Sequence, residues 1–247
     1  MALYYATHDH VGSCYPAWAR AGDRRVVAWL DAVSGDAEAI FLVGDIFDFW
    51  FEYRRVIPAG YVRILGKLAE LADRGIRIVF FAGNHDMWTG DCLARECGVE
   101  IYTSPQVMEL HGRRLFIAHG DNMQIDGQPA LKFLNRVFRS RVLRWLVSRI
   151  IHPDLFVRFG RWWSGRSRKS NHAEGAPVEA MTEPLIAYAR EYAAGHKIDH
   201  FVFGHVHFAR DFRDGGLHTV HLGCWETAPT YAVLDDAGEL TLKRFEP

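Results

Sequence analysis

Five short motifs rich in histidine and aspartate follow short apolar runs along this sequence. In chain order they are His8-Asp9-His10, Gly44-Asp45-Ile46-Phe47-Asp48, Gly83-Asn84-His85-Asp86, His119-Gly120-Asp121 and Gly204-His205-Val206-His207. Together they offer enough donors for two divalent cations, and a mixed set of nitrogen and oxygen donors suits manganese, iron or zinc better than magnesium. Two ions about 3.5–4 Å apart lower the pKa of a bound water to about 7 and neutralise charge on a phosphate. The motifs therefore predict metal-dependent phosphoryl chemistry.

The elements that must position these motifs begin with a first half that alternates between strand-like and helical patterns. Apolar runs predict strands over residues 3–7, 39–43 and 76–82, and helical spacing predicts helices over 20–33 and 61–74. This alternation is typical of an α/β core with parallel strands. Ligands of such sheets gather beyond the carboxyl ends of the strands, where the motifs lie.

Shorter apolar runs separated by glycine and aspartate turns make up most of the second half. They predict strands over residues 107–110, 115–118, 201–203, 217–222, 231–234 and 240–245. Turns of this kind favour mostly antiparallel pairing. We therefore predict an α/β fold with two sheets in one layered core, and we treat residues 1–247 as a single domain.

A segment of different composition separates the two halves. Between Leu131 and Ser170 the chain carries eleven basic residues and one acid, Asp154, although the net charge of the whole chain is -1. The same segment is rich in aromatic residues, several of them at helical spacing. We expect a helical cap insertion over residues 127–175 that contacts an apolar and anionic partner such as a lipid. The alternative is a pair of solvated helices with no partner.

Composition excludes other classes of function. Hydrophobic residues make up 49% and charged residues 24%, as in ordinary globular proteins, and the net charge of -1 argues against a nucleic-acid partner. The sequence has no apolar run of about 18 residues, so we expect no membrane span. We also expect no signal peptide. Four scattered cysteines fit a reducing cytoplasm.

On these motifs the sequence resembles the calcineurin-like metallophosphoesterases, whose signature reads DxH, GDxxD, GNH followed by D or E, H, and GHxH. It is most similar to the branch of that family that cleaves UDP-2,3-diacylglucosamine in lipid A biosynthesis. The similarity covers nearly the whole chain. It is carried by residues 42–50 and 81–88, the fourth and fifth strand-end motifs, the insertion between those two motifs and the region of Trp225 and Tyr231. The resemblance implies a four-layer αββα sandwich of two mixed sheets with a helical cap.

The resemblance also implies a reaction. In this branch a metal-activated water attacks the α-phosphate of UDP-2,3-diacylglucosamine and yields UMP and 2,3-diacylglucosamine 1-phosphate, called lipid X. The implied cofactors are two divalent metal ions, manganese (Mn2+) in particular. The implied location is cytoplasmic and peripheral, on the inner face of the cell membrane. The implied partners are therefore the lipid substrate and an anionic membrane surface, which the basic cap would contact.

Site residues are implied by the same resemblance. Asp45 would bridge the two metal ions. His10 and His207 would complete one metal site, and Asn84, His119 and His205 would complete the other. His85, oriented by Asp86, would stabilise or protonate the phosphate, and Asp48 would steady a metal ligand. The implied substrate contacts are Asn84, His85, Asp126, Arg166, Ser167, Asn171 and His205.

The first motif departs from the family pattern, because His8 stands where the family has an aspartate. Side chains alternate along a strand, so His8 and His10 would share one face while Asp9 points away. Three interpretations follow. His8 is itself a metal ligand, or Asp9 reaches the metal through a shifted loop, or the first metal site is weak and activity is reduced.

Two other functions compete with this interpretation. A phosphodiesterase or phosphatase for soluble nucleotides would share the metal motifs, but it would not need a basic, aromatic cap. A lipid-binding protein whose metal site failed at His8 would keep the cap and lose the activity. Two further features, an aromatic cluster and the histidines outside the motifs, are not assigned a function. The cluster Phe49-Trp50-Phe51-Tyr53 fits either the core or one wall of an acyl-chain groove, and the histidines outside the motifs, which include His111, His200, His218 and His221, are interpreted as surface or core residues.

Overall fold

The computed structural model describes residues 1–7, 19–53, 55–123, 129–160, 162, 178–226 and 228–246. Its strands are β1 (Ala2–Ala6), β2 (Ala37–Val43), β3 (Arg77–Phe81), β4 (Glu100–Tyr102), β5 (Gln106–Leu110), β6 (Arg113–Ala118), β7 (His200–Phe203), β8 (Ala209–Asp214), β9 (Leu217–Leu222), β10 (Thr230–Leu234) and β11 (Leu240–Arg244). Its helices are α1 (Ala19–Val33), α2 (Val62–Asp73), α3 (Cys92–Cys97), α4 (Pro129–Phe138), α5 (Arg141–Ile150), α6 (residues 153–160) and α7 (Val178–Gly195).

The strands form two mixed sheets. The first has the order β11-β10-β1-β2-β3-β4, in which β1, β2, β3 and β4 are parallel and the last two strands of the chain pair antiparallel at one edge. The second has the order β5-β6-β7-β9-β8, with parallel β6, β7 and β9 between antiparallel edge strands. The parallel pairing of β6 with β7 requires a crossover, and α7 lies in that connection.

The two sheets pack face to face, and helices cover both outer faces. The core between the sheets includes Tyr5 and Phe41 of the first sheet and Ile117 and Val202 of the second. On the outer face of the first sheet, helices α1 and α2 bury side chains such as Trp29. Helix α7 covers the outer face of the second sheet. The structure is therefore the four-layer αββα sandwich that the resemblance implied.

The spacing of apolar residues explains how α2 attaches to the first sheet. Ile64, Leu68 and Leu71 recur at intervals of three and four residues, so they share one face of the helix, and all three are fully buried. Gly75 follows with a φ of 87°, a left-handed conformation that favours glycine and ends the helix. Burial of one face against the sheet is thus what holds this helix in place.

The predicted strands and helices of the first half are confirmed, with small shifts of their ends. In the second half, the prediction of mostly antiparallel pairing is wrong for the centre of the second sheet, where β6, β7 and β9 are parallel. The sequence pattern did not reveal α7, whose crossover makes that pairing possible. The prediction also did not show that β10 and β11 leave the second half and extend the first sheet.

The described part of the cap is helical. A short break at Arg139 and Ser140 separates α4 from α5, and the Ser140 side chain caps α5 by accepting a hydrogen bond from the Leu143 N–H. Residues 153–160 form the next helix. Among the described residues, no helix combines the length and the apolar character needed to cross a membrane.

Candidate active site

Four loops of the candidate site follow four strands at one end of the sandwich. Asp45 follows β2 and Asn84 follows β3, two neighbouring parallel strands of the first sheet. His119 follows β6 and His205 follows β7, two neighbouring parallel strands of the second sheet. Because the sheets pack face to face, the carboxyl ends of all four strands bring their loops together.

The donor atoms of these loops converge closely. Ligand atoms of Asp45, His119 and His205 all lie within 4.8 Å of one another. His119 Nε2 lies 3.1 Å from Asp45 Oδ2 and 3.2 Å from Asn84 Oδ1. His205 Nδ1 lies 3.1 Å from the same Asn84 oxygen. One carboxylate, one amide oxygen and two imidazoles thus surround a common centre, a donor set that fits a divalent transition metal.

Backbone geometry at the site requires unusual conformations. Asp45 and His205 have positive φ values of 54° and 58°, which non-glycine residues seldom adopt. Such strained residues concentrate at functional sites, where the surrounding structure holds them in place. Gly83 packs so closely that a Cβ there would lie 2.2 Å from Asp45 Oδ1, and a Cβ on Gly204 would lie 2.6 Å from the Val43 carbonyl oxygen. The glycines of the motifs therefore permit the close approach of the loops.

The two imidazoles differ in their electrostatic environment. Burial, together with the charge of the neighbouring His119, lowers the pKa of His205 to about 4, so the His205 ring is neutral near pH 7. Burial also opposes charge on His119, but the Asp45 carboxylate beside it prevails and raises the pKa of His119 to about 9. The His119 ring thus holds a proton that a metal ion would displace on binding, since metal ligands must be deprotonated.

One ring nitrogen of His119 is already fixed by the backbone. Its Nδ1 lies 3.0 Å from the Val43 carbonyl oxygen, at the end of β2. A hydrogen bond of this kind selects the tautomer and directs the opposite nitrogen toward a metal. Sequence analysis could not identify this contact, because a backbone carbonyl leaves no signal in the sequence.

The expectation that Asp86 orients His85 needs correction. The Asp86 carboxylate is fully buried and accepts hydrogen bonds from the backbone N–H groups of Gly83, Ile46 and Phe47. These contacts join the loop after β3 to the loop after β2. The ring of His85 is held instead by the Asp48 carbonyl oxygen, 2.9 Å from Nδ1. Burial and the charge of Asp45 raise the pKa of Asp86 to about 7.

Several expected site residues lie outside the described residues. They are His8, Asp9 and His10 of the first motif and the substrate candidates Asp126, Arg166, Ser167 and Asn171. The described chain reaches Thr7, a residue that sequence analysis did not select. Its hydroxyl contacts the backbone oxygens of Val43 and Gly44, each 2.8 Å away, so Thr7 itself lies beside the loop that carries Asp45. His207 is described, half-buried in the loop after β7.

An aromatic seam joins the cap to the body next to these loops. It comprises Phe51, Trp88, Val147 and Phe156, with Phe49, Tyr53, Met87, Phe138 and Leu143 packed against them. Trp88 and Phe156 stack with ring centroids 5.1 Å apart. The aromatic cluster at residues 49–53 was predicted to belong either to the core or to one wall of an acyl-chain groove. In the structure, Trp50 is part of the main core, whereas Phe49, Phe51 and Tyr53 face the cap.

The cap also carries apolar side chains that the rest of the protein does not cover. Those exposed on the described helices include Phe133, Val142, Trp145, Ile150, Leu155 and Trp162. Exposed basic side chains lie among them, and the Arg149 guanidinium lies 5.9 Å from the centroid of the Trp145 ring. The described cap surface is thus both apolar and cationic.

A four-layer αββα sandwich with a cluster of metal donors at its strand ends defines a class of metal-dependent phosphoesterases. The calcineurin-like phosphoesterase family matches residues 7–209 of this chain. A curated relative, the UDP-2,3-diacylglucosamine hydrolase of Porphyromonas gingivalis, is 36% identical, and the match covers 94% of each chain. A relative with the same name from Edwardsiella ictaluri is 28% identical, and the match covers 96% of this chain and 90% of the relative.

The chain therefore belongs to the calcineurin-like phosphoesterase family and is a metal-dependent hydrolase. The family match includes all five strand-end motifs. It ends at residue 209, so β9, β10 and β11 follow it.

Proposed function

We propose that this enzyme hydrolyses the pyrophosphate bond of UDP-2,3-diacylglucosamine, giving UMP and 2,3-diacylglucosamine 1-phosphate, in lipid A biosynthesis. The observation that carries the proposal is the position of the cap. Its aromatic seam lies against the loops that carry the metal donors, and its outer side chains are apolar and basic. A substrate with a diphosphate and two acyl chains matches that combination. The names of the relatives support the same substrate.

In this proposal, two divalent metal ions, Mn2+ in particular, are the cofactors. Such a pair supplies an activated water and neutralises charge on the phosphate. Asp45 would contact both ions, and Asn84, His119 and His205 would hold one of them. His10 and His207, with His8 or Asp9, would hold the other. We retain Asp126, Arg166, Ser167 and Asn171 as candidate substrate contacts.

His85 is proposed to act beside the phosphate. Its backbone N–H donates to Asp45 Oδ1 at 2.8 Å, so the residue lies next to the metal-donor cluster. The Asp48 carbonyl oxygen lies 2.9 Å from Nδ1 and so orients the ring. We propose that the ring stabilises or protonates the phosphate. The proposed role of Asp86 is to hold the two loops of the first sheet at a fixed distance.

Turnover with matched substrates tests this function. With Mn2+ present, the enzyme should hydrolyse UDP-2,3-diacylglucosamine with a kcat/KM at least about 10²-fold above that for UDP-N-acetylglucosamine, because binding of the acyl chains contributes to transition-state stabilisation. Bis(p-nitrophenyl) phosphate provides a generic diester. Equal turnover of the acylated and non-acylated nucleotides would contradict the proposal and favour a phosphodiesterase for soluble nucleotides. If the protein turns over none of these substrates and binds less than one equivalent of metal, the result would favour a lipid-binding protein that has lost its activity.

The cap surface is proposed to place the enzyme on the inner face of the cell membrane. Basic residues near an anionic surface contribute about 1 kcal/mol each, and exposed aromatic and aliphatic side chains can enter the interface. Vesicles containing anionic lipid should therefore bind the enzyme, and salt should weaken that binding.

Two valines provide a matched test of the membrane surface. Val142 on α5 is 68% exposed, and Val62 on α2 is 80% exposed. Val142→Asp places a carboxylate on the cap and should weaken binding to anionic vesicles. Val62→Asp makes the same change on the body and should leave binding unchanged. Equal effects of both variants, or binding that ignores the lipid charge, would contradict the proposal.

A further inference from the structure

Arg139 connects the cap to both sheets beside the metal-donor loops. It follows α4 directly, and its Nη2 donates to Asp121 Oδ2 at 2.9 Å while its Nη1 donates to the Thr103 carbonyl oxygen at 3.3 Å. Asp121 lies two residues after His119 in the loop that follows β6, and Thr103 follows β4 of the first sheet. One guanidinium group thus joins the cap, the first sheet and a loop of the candidate active site.

The ion pair between Arg139 and Asp121 is shielded from solvent, so it should contribute to the stability of the cap. The Asp121 side chain is only 9% exposed and that of Arg139 is 31% exposed. A carboxylate with so little access to water needs a charged or hydrogen-bonding partner. The planar guanidinium suits this position because it donates in two directions at once, to a carboxylate and to a carbonyl oxygen, which an ammonium group does less well.

Other polar contacts surround this ion pair and join the same parts of the molecule. On α4, Asn135 Nδ2 donates to Asn122 Oδ1 at 2.7 Å, again in the loop after β6. Beyond the break, the Arg144 guanidinium donates to the Thr89 carbonyl oxygen at 2.8 Å, in the loop after β3. The start of the cap is therefore fixed to two of the loops that carry metal donors, and Arg139 lies at the break between α4 and α5.

We propose that Arg139 is a positioning residue that sets the location of the cap over the metal-donor cluster through Asp121. Among the described residues, its hydrogen bonds go to Thr103 and Asp121 and not to the metal donors, so its effect should fall on the part of the substrate that lies beneath the cap. The inference rests on the proposed function, since it assigns the acylated part of the substrate to the cap. A change at Arg139 should therefore affect binding of an acylated substrate more than the chemical step.

Steady-state kinetics with two substrates test this role. Arg139→Gln should raise KM for UDP-2,3-diacylglucosamine about ten-fold and change kcat less than about two-fold, because an interaction made equally in the ground and transition states alters KM alone. The kinetics of bis(p-nitrophenyl) phosphate should stay at the wild-type level. Arg136→Gln is the matched control, because it removes the same charge from an exposed position on α4. Arg139→Lys should give an intermediate KM, since it keeps the charge and loses the second donor direction.

A double-mutant cycle separates this role from a general loss of stability. Asp121→Asn should raise KM for the lipid substrate as Arg139→Gln does, and the double variant should show little additional effect, because both changes break the same contact. Metal content of each variant is measured alongside. Effects of Arg139→Gln that equal those of Arg136→Gln, or that reduce turnover of both substrates alike, would overturn the inference.

Hydrogen exchange gives a readout that does not depend on the substrate. Amides of α4 should exchange faster in Arg139→Gln than in the wild type, while amides of β2 and β6 should keep their protection. If the wild-type enzyme fails to hydrolyse the lipid substrate, the proposed function fails, but faster exchange confined to α4 would still support the structural part of the inference. Unchanged exchange in α4 would overturn that part.

Discussion

Two pairs of histidines lie at opposite ends of the second sheet, and among the described residues one pair, but not the other, belongs to a metal-donor cluster. His119 and His205 follow β6 and β7 at the carboxyl ends of the strands, with ring centroids 5.2 Å apart. His200 and His218 lie at the starts of β7 and β9, with ring centroids 4.8 Å apart. The proximity of two imidazoles therefore does not distinguish the two sites.

The partners of the ring nitrogens do distinguish them. In the pair His200 and His218, the two Nδ1 atoms lie 2.8 Å apart, and the Nε2 atoms face the Gly238 carbonyl oxygen and the Asp211 carboxylate at 3.1 and 3.0 Å. Every ring nitrogen thus has a protein partner, as in a hydrogen-bonded core. In the other pair, the oxygens of Asp45 and Asn84 converge with the rings on one centre. A metal site is recognised by convergence of mixed donors, and a carboxylate beside a histidine is insufficient on its own.

Replacing the carboxylate beside each histidine pair should produce the largest difference in metal content and kcat/KM between the two pairs. Asp45→Asn should lose at least one metal ion and lower kcat/KM by about three orders of magnitude or more, because in the proposed function the metal ions would supply both the nucleophile and the neutralising charge. Asp211→Asn makes the same change beside His218 and should leave metal content and kcat/KM at the wild-type level. Metal analysis of the purified variants and turnover with Mn2+ provide the measurements. Retention of two metal ions by Asp45→Asn would show that Asp45 is not a shared ligand.

The sequence distinguishes the two pairs through position along the chain. His119 and His205 follow an apolar run and neighbour a glycine, whereas His200 and His218 lie within strands, so strand-end motifs predicted Asp45, Asn84, His119 and His205 together. Contacts with backbone groups were beyond prediction, because the Val43 carbonyl that orients His119 and the Asp48 carbonyl that holds His85 leave no side-chain signal. The Arg139 to Asp121 contact depends on where the cap docks, and periodicity within the cap contains no information about that.

Strand pairing between distant parts of the chain was likewise beyond prediction from the sequence. Alternation of strands and helices predicted the parallel part of the first sheet, because each connection there is local. The pairing of β1 with β10 joins residues more than two hundred positions apart, for example Leu3 with Leu234. Turn residues define where a strand ends, but they do not define which sheet it joins. The second sheet was therefore predicted as a set of strands, and its parallel centre was not.

Substitution of the glycine before Asp45 should have the next largest effect. Gly44 has a φ of 79°, and a Cβ there would lie 2.4 Å from His119 Nδ1. Gly44→Ala should displace the His119 ring and reduce kcat/KM by about 10²-fold, since small misplacements at a reacting centre have effects of that size. Metal content should fall in parallel.

Gly75→Ala separates backbone strain from displacement of the ring. Gly75 has a φ of 87°, but a Cβ there has nothing within 4 Å. The variant should lose about 1–3 kcal/mol of stability through strain and keep its metal and its activity. Equal loss of metal in both glycine variants would show that strain, and not contact with His119, controls the site.

A third histidine of the second sheet sharpens the comparison, with the smallest expected effect. His221 on β9 is fully buried, and neither of its ring nitrogens has a hydrogen-bond partner among the described residues. Burial lowers the pKa of His221 to about 4, and the charge of Arg210 acts in the same direction. In the unfolded chain the pKa returns to about 6.5. Between these values the unfolded state binds more protons, so acid favours unfolding and the loss of stability proceeds as pH falls from about 6.5 to about 4.

His221→Leu should therefore raise the free energy of unfolding at neutral pH and remove up to about 3 kcal/mol of the loss on acidification. Denaturant titrations of the wild type and the variant across this pH range give both quantities. His218→Leu is the contrasting change, because it removes the partner of His200 Nδ1 and one partner of the Asp211 carboxylate, and it should lower stability by about 1–3 kcal/mol. Destabilisation by both substitutions would show that His221 has a partner in solution, and it would then belong with the hydrogen-bonded pair. If His221→Leu raises the free energy of unfolding and His218→Leu lowers it, a buried histidine of this sheet stabilises the fold only when its ring nitrogens are hydrogen-bonded.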